Sequence, residues 1–315
     1  MSKKPEESPH LYIYGPVPSR RLGFSLGIDI IPSKTCTLDC IYCQLGPTSD
    51  KTLGRSKYFS PDEILAQVKK KISSGQRVDY ITFSGSGEPT LNTNLGKLIR
   101  EIKKFTTIPV AVLTNGTLFS RKDVRKALMA ADLVVPSLDA ASQDIFEKIN
   151  RPCSSLNIEE IIEDLRTFRR EYKGLIWLEV MLVKGVNDSP VHINELKEAI
   201  SRIEPDKIQL NTVIRPPAER TARPLSPEEL EKIKKVFGKN CEIIAEFDKK
   251  AQESLSGNLE SAILAMVHRR PVTLTDISAS LGRHKNEILK YLNLLLEQGK
   301  IQAVVHKDLT YFEPN

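Results

Sequence analysis

No apolar run in these 315 residues approaches 18, so no membrane-spanning helix is expected. The stretch Met1 to Pro9 carries Lys3, Lys4, Glu6 and Glu7 and lacks the apolar segment of a secretory signal, so the expected compartment is the cytoplasm. Cysteine is scarce and odd in number, five in all, which argues against a disulfide framework and suits a reducing compartment. Internal repeats and low-complexity tracts are absent. Net charge is absent from Ala251–Asn315, where seven Lys or Arg meet seven Asp or Glu, so the overall +6 belongs to the first 250 residues. That modest excess is compatible with an anionic substrate, RNA included. The balanced C-terminal region speaks against DNA binding, which rests on cations that neutralise phosphates. What remains is ordinary for a globular chain: 40% apolar and 27% charged residues, enough for one large domain and a small one.

Three of the five cysteines fall within eight residues, in Cys36-Thr37-Leu38-Asp39-Cys40-Ile41-Tyr42-Cys43. Thiolates this close can face one metal centre and select zinc, copper(I) or iron–sulfur clusters. A structural zinc site wants a fourth Cys or His. The nearest His is His10, and Cys153 and Cys241 are distant in sequence. Three thiolates suit a four-iron cluster with one iron left open, and an open iron can bind a small molecule.

A second segment lies downstream. Val78–Phe83 has the β-branched and aromatic pattern of a short strand, and it runs into Ser84-Gly85-Ser86-Gly87-Glu88-Pro89-Thr90. Gly85 and Gly87 permit close backbone approach. Glu88 would then stand at the carboxyl end of a strand, where βα barrels place ligands.

Between residues 25 and 213, strand-like and helix-like patterns alternate. Strands are expected at Ser25–Ile31, Val78–Phe83, Ile108–Leu113, Leu133–Val135, Leu175–Val183 and Lys207–Val213. Helices are expected after Ser60, at Leu95–Phe105 and Arg121–Ala130, around Ile158–Phe168, and after Ser189. Ser60 and Glu63 match a capping box. The pattern predicts a parallel sheet with about six βα units. Ser226 opens a further helix, and Cys241–Phe247 reads as an extra strand. Beyond a linker at 248–257 come helices at Leu259–His268, at 275–282 and at Asn286–Gln298, then a hairpin of Ile301–Val305 with Thr310–Phe312. This last part resembles a winged helix-turn-helix domain, with Arg283, His284, Lys285 and Lys290 near its second helix and Arg283, Lys285, Lys290 and Lys307 as a local basic patch.

The C-x3-C-x2-C spacing with Tyr42 before the last cysteine resembles the cluster motif of the radical S-adenosylmethionine (SAM) superfamily. Gly87-Glu88-Pro89-Thr90 resembles that superfamily's GGEP segment, with Ser86 in place of its first glycine. The resemblance covers roughly residues 20–215. It implies an α/β fold, a partial (β/α)6 barrel, here followed by the small winged-helix domain. The division expected is an N-terminal extension at 1–24, the barrel with its C-terminal extension at 25–247, the linker at 248–257 and the appendage at 258–315. It also implies that Cys36, Cys40 and Cys43 hold a [4Fe-4S] cluster whose open iron chelates SAM. One electron from an external flavodoxin- or ferredoxin-type donor then breaks the C5′–S bond, and the 5′-deoxyadenosyl radical abstracts hydrogen from a substrate. The SAM-facing residues would be Tyr42, Gly85, Gly87, Glu88, Asn115, Ser137 and Asp139. Asn115-Gly116 is also a turn signal, and Asp139 could equally cap a helix.

The run Gly15-Pro16-Val17-Pro18-Ser19-Arg20-Arg21-Leu22-Gly23 resembles a segment of a subgroup near the wyosine-type tRNA-modifying enzymes. That resemblance fits a tRNA base as substrate, with a protein side chain or a small metabolite left open beside it. Arg20, Arg21 and Arg215 are candidate anion-holding residues. The further cysteines by which the wyosine enzymes hold a second cluster are missing, and Cys153 and Cys241 read as structural thiols. Two competing readings stand beside this one: an iron–sulfur redox sensor that binds DNA through the winged helix, and a structural zinc protein.

Overall fold

The computed structural model describes residues 11–19, 21–214, 217–245, 257–267, 271–281, 283–306 and 309–315. Arg20, Arg215, Lys307 and the expected linker up to Ser256 lie outside the described residues.

The main sheet has eight strands in the order β1 (Ile13–Ser19), β2 (Gly23–Ile28), β5 (Tyr80–Phe83), β6 (Val110–Thr114), β7 (Leu133–Pro136), β8 (Leu175–Leu182), β9 (Lys207–Thr212) and β10 (Cys241–Ile243). A separate parallel pair joins β3 (Thr35–Cys36) to β4 (Asp50–Lys51). From β2 to β10 every pairing is parallel, whereas β1 runs antiparallel to β2. Helices α1 (Pro61–Ile72), α2 (Leu95–Lys103), α3 (Lys122–Leu128), α4 (Gln143–Asn150), α5 (Ile158–Glu171), α6 (Pro190–Ile203) and α7 (Pro227–Phe237) make the crossovers. The alternation read from the sequence is therefore present as an α/β partial barrel. Besides the short β3–β4 pair, two elements of the main fold escaped it. Strand β1 lies in the expected N-terminal extension, and α4 follows β7 ahead of the amphipathic α5.

Local chemistry explains the helices. Asn157 caps α5 by accepting from the Glu159 and Glu160 amides, and Ile158, Ile161, Ile162, Leu165 and Phe168 form its buried face. Ser226 and Glu229 complete a capping box on α7. The capping box expected at Ser60 does not form: Ser60 makes no side-chain cap bond, and Glu63 instead accepts from the Tyr12 hydroxyl at 2.7 Å. A partner brought in by strand β1 competes successfully for that carboxylate.

The strands bury both faces. Val110 and Val112 of β6 join the helix-side core, while Ala111 packs with Leu22, Leu133 and Val135 on the opposite, inner face. The C-terminal unit has its own core of Leu259, Ile263, Val267, Val272, Ile277, Ile288, Leu292, Leu295, Ile301 and Phe312. It comprises α8 (Gly257–Val267), β11 (Val272–Thr273), α9 (Leu274–Leu281), α10 (Lys285–Glu297), β12 (Ile301–His306) and β13 (Leu309–Pro314), with sheet order β11-β13-β12.

Candidate active site

The cysteine loop leaves the sheet at β3 and is fastened from below. The Asp39 and Ile41 amides donate to the Asn150 and Ile149 carbonyls at the end of α4, at 2.9 and 3.0 Å. The Asp39 carboxylate accepts from the Thr48 amide at 2.6 Å, and the Cys43 amide donates to the Cys40 carbonyl at 3.1 Å. Leu38 and Ile41 anchor the loop in the main core. Cys36, Cys40 and Cys43 are all half-buried and unpaired by disulfides.

Each of the three sulfurs receives a side-chain N–H. Asn115 Nδ2 lies 3.6 Å from Cys36 Sγ, Asn150 Nδ2 lies 3.3 Å from Cys40 Sγ, and Lys34 Nζ lies 3.3 Å from Cys43 Sγ. Burial, reinforced by the Glu88 carboxylate, pushes the Cys36 thiol up to about 12. Burial also drives Cys40 well above the ordinary thiol value, with Asp139 adding to it. A bound cationic centre reverses that preference and takes the thiolates outright. Among the described residues, no three His, Cys, Asp or Glu side chains converge on a point that would hold a single metal ion. A four-iron cluster takes each thiolate on a different iron and needs no such convergence. The donor set thus fits a cluster better than zinc.

Glu88 is 2% exposed and fully engaged. It accepts from the Thr90 amide and hydroxyl at 3.0 and 2.6 Å, from the Thr114 hydroxyl at 2.6 Å and from the Asn115 amide at 2.7 Å. Burial raises its carboxyl, and these bonds oppose the rise. Glu88 therefore clamps the end of β5 to the end of β6. The glycines before it are sterically required: a Cβ on Gly87 would stand 2.0 Å from the Thr35 carbonyl oxygen, and one on Gly85 would stand 2.3 Å from the Asp29 carboxyl carbon. Asn115 serves the turn role read from the sequence and also reaches the cysteine loop. Its Oδ1 accepts from Thr117 as a turn residue, and its Nδ2 reaches Thr37 Oγ1 at 2.7 Å as well as Cys36.

Asp139 lies deeper than the expected SAM-facing set. Its carboxylate accepts from the Tyr42 hydroxyl at 2.5 Å, Asn150 Nδ2 at 2.8 Å and the Met181 amide at 2.9 Å. Burial raises it to about 6. It caps no helix, since the N-cap position of α4 is Ser142. Neither Tyr42 nor Asp139 lines the main cavity, because each satisfies the other beneath the cysteine loop.

That cavity, of about 340 Å³, opens at the carboxyl ends of the strands. Cys36, Cys40, Gly85, Gly87, Glu88, Asn115 and Ser137 line one side, and Arg21 and Glu179 line another. Arg21 grips Glu179 through both guanidinium nitrogens, at 2.6 and 3.0 Å, and Asn211 Nδ2 donates to the same carboxylate at 2.8 Å. Sequence reading missed Glu179, although a lone carboxylate in the apolar strand Leu175–Leu182 was the available signal. It also missed the remaining wall, which comes from α10: Asn286, Leu289, Lys290 and Asn293.

The expected basic patch is thereby divided. Lys290 lines the cavity and stands 5.7 Å from the Tyr14 ring centroid, while Arg283 faces Glu287 at 3.5 Å. His284 is 8% exposed. It caps α10, stacks on Tyr14 with centroids 4.9 Å apart, and places Nε2 3.3 Å from Asp29. Cys241 is buried in β10, and Cys153 follows α4 with its amide on the Thr37 carbonyl.

Comparisons with known proteins agree with this geometry. The chain is 41% identical over 95% of its length to a protein of Brachyspira hyodysenteriae named GTPase Obg, but it spans only 45% of that relative. It is 35% identical to the UPF0026 protein MJ1312 of Methanocaldococcus jannaschii, covering 96% of this chain and 95% of the relative. A probable dual-specificity RNA methyltransferase, RlmN of Synechococcus, is 27% identical over 58% of this chain and 51% of the relative. Among solved structures, TYW1 with a lysine-pyruvate adduct superposes with a TM-score of 0.53 at 22% identity, covering 68% of this chain and 72% of that one. Proteins of the radical SAM superfamily are enzymes that bind a [4Fe-4S] cluster and SAM, and that superfamily matches residues 30–196 here. The matched span holds all three clustered cysteines and Glu88, and the chain belongs to the radical SAM superfamily.

Proposed function

We propose that this radical SAM enzyme carries out hydrogen abstraction in a polar chamber roofed by α10, on one group of a substrate held between the barrel mouth and that helix. The observation that supports the reading is the shared cavity, which joins the cysteine loop and Glu88 to Arg21, Glu179, Lys290 and Asn293. When bound, the cluster and SAM supply reductive C5′–S cleavage and a 5′-deoxyadenosyl group that takes hydrogen. The chain's own residues do the rest. Cys36, Cys40 and Cys43 ligate, while Gly85, Gly87, Glu88, Asn115 and Ser137 shape the face toward SAM. Tyr42 and Asp139 brace the loop from beneath. Arg21, held by Glu179, and Lys290 offer cationic groups to the substrate, and α10 keeps water out.

Residues 257–315 are read as a winged-helix-like domain in which α10 would be the helix that enters a nucleic-acid groove. Its buried Asn286, Glu287 and Asn293 instead face the barrel side, which disfavours the DNA-reading regulator. An RNA substrate remains compatible if it delivers one base turned out of its stack into the chamber. An external flavodoxin- or ferredoxin-type donor and a cytoplasmic setting complete the proposal.

The experiment is anaerobic reconstitution with iron and sulfide, followed by dithionite and SAM. The reading expects slow release of 5′-deoxyadenosine, lost in Cys40→Ala and accelerated by the true substrate. Production of S-adenosylhomocysteine alone would make it an ordinary methyltransferase and overturn the mechanism.

A further inference from the structure

Each clustered cysteine meets one side-chain N–H, and the three donors come from separate parts of the fold. Lys34 precedes β3, Asn115 follows β6, and Asn150 ends α4. None is a casual surface contact. Asn150 is 3% exposed and also donates to Asp139 at 2.8 Å. Asn115 is held through its Oδ1 by the Thr117 amide and hydroxyl at 3.2 and 2.7 Å. Lys34 takes a left-handed backbone conformation, φ +64, uncommon for a residue with a side chain. Its amide is tied to the Ser86 carbonyl at 2.7 Å, and its carbonyl accepts from Ser49 and Asp50.

Two buried carboxylates oppose these donors. Glu88 accepts from the amide of Asn115, the donor at Cys36, and Asp139 accepts from Asn150, the donor at Cys40, so a carboxylate stands one residue away from each of these two sulfurs. Reducing a four-iron cluster adds one negative charge. Buried carboxylates therefore lower its potential, and N–H groups aimed at sulfur raise it. The effect is larger for a full ammonium than for an amide, and larger at shorter range.

We propose that Lys34, Asn150 and Asn115 are positioning residues that raise the cluster's reduction potential, each through one thiolate, and offset the adjacent carboxylates enough for a biological donor to deliver the electron. The inference rests on Cys36, Cys40 and Cys43 being the ligands, which loss of the brown chromophore in Cys40→Ala tests separately.

The test is an EPR-monitored redox titration of the reconstituted full chain without SAM. Dithionite supplies the single electron, and no covalent bond changes. Lys34→Met should lower the reduced-to-oxidised ratio at fixed solution potential about tenfold, a downward midpoint shift of about 59 mV for a one-electron couple. Asn150→Ala should shift it less, and Asn115→Ala, with the longest contact, least. Lys34→Arg should restore most of the wild-type value, and the exposed-surface control Lys57→Met should leave it unchanged. If Asn150→Ala loads no cluster, the Lys34→Met and Lys34→Arg pair decides. An unchanged or raised midpoint in Lys34→Met at full iron and sulfide content overturns the proposal.

Discussion

In the barrel, the buried polar side chains Glu88, Thr114, Asp139 and Asn150 surround the cysteine loop where the strands end, while others, Arg125 and His192 among them, lie elsewhere. In the C-terminal unit the buried polar side chains lie on or just before one helix, at His284, Asn286, Glu287 and Asn293 of α10. Within the barrel, Glu88 is satisfied by four hydrogen bonds and Asp139 by three. Helix α10 gives Ile288, Tyr291, Leu292 and Leu295 to its own core and turns its polar side to the barrel, where His284 and Asn286 meet Asp29 and the Gly15 amide meets Glu287. Buried polar groups need partners, and those of α10 find several of theirs across the junction. A helix buried on both sides is part of a wall, whatever its domain resembles.

The sharpest way to break the comparison is to remove one of the cysteines proposed as cluster ligands. Cys40→Ala should abolish the reconstituted chromophore and the release of 5′-deoxyadenosine, whereas Cys241→Ala should leave both in place. Loading should also strengthen with rising pH. Cys36 and Cys40 are held as neutral thiols by burial and must lose protons to ligate, so higher pH favours the loaded state. Iron content after reconstitution at pH 7 and pH 8.5 checks the sign.

Next in size is the ion pair on the barrel side of the chamber. The side chains of Arg21 and Glu179 are 10% and 14% exposed, so Arg21→Ala leaves a buried carboxylate without its cation. The expected loss is about 3–5 kcal/mol in denaturant unfolding, and Glu179→Gln should be milder.

The two cores can be set against each other by one kind of substitution. Leu178→Ala in β8 and Leu292→Ala in α10 each remove a side chain with no exposure, at about 2–5 kcal/mol. Leu178→Ala should lower the transition that destroys the chromophore. Leu292→Ala should raise hydrogen exchange in α10 first, and identical exchange profiles for the two variants would contradict separate cores.

The smallest effect belongs to the junction. His284→Ala removes the stack on Tyr14 and the contact with Asp29, and should weaken docking by about 1–3 kcal/mol. Faster protease cleavage between the barrel and α10, with uncoupled SAM cleavage retained, is the outcome to look for.

Much of the site was legible because its chemistry is local. Three soft ligands in eight residues announce a metal centre, and glycines before Glu88 announce a backbone that must pass close to another. The strand and helix alternation was legible for the same reason, since periodicity needs only neighbours. What sequence reading did not foresee was pairing at a distance. Tyr42 donates its hydroxyl to Asp139 across the loop, a partnership no local signal announces. Glu63 suits a capping box, yet Tyr12 takes it.

By itself, then, the sequence determined the triad of clustered cysteines proposed as ligands, the glycine-bounded strand end that carries Glu88 and the main alternation of strands and helices, because spacing and side-chain type decide those. Only the tertiary structure decided that Lys34, Asn115 and Asn150 converge on the three sulfurs, that Glu179 faces Arg21, and that a C-terminal helix closes the chamber. Apart from the local Lys34–Cys43 contact, each depends on residues tens to hundreds of positions apart meeting in a low-dielectric interior, where an unpartnered polar group is costly and the fold must supply its partner.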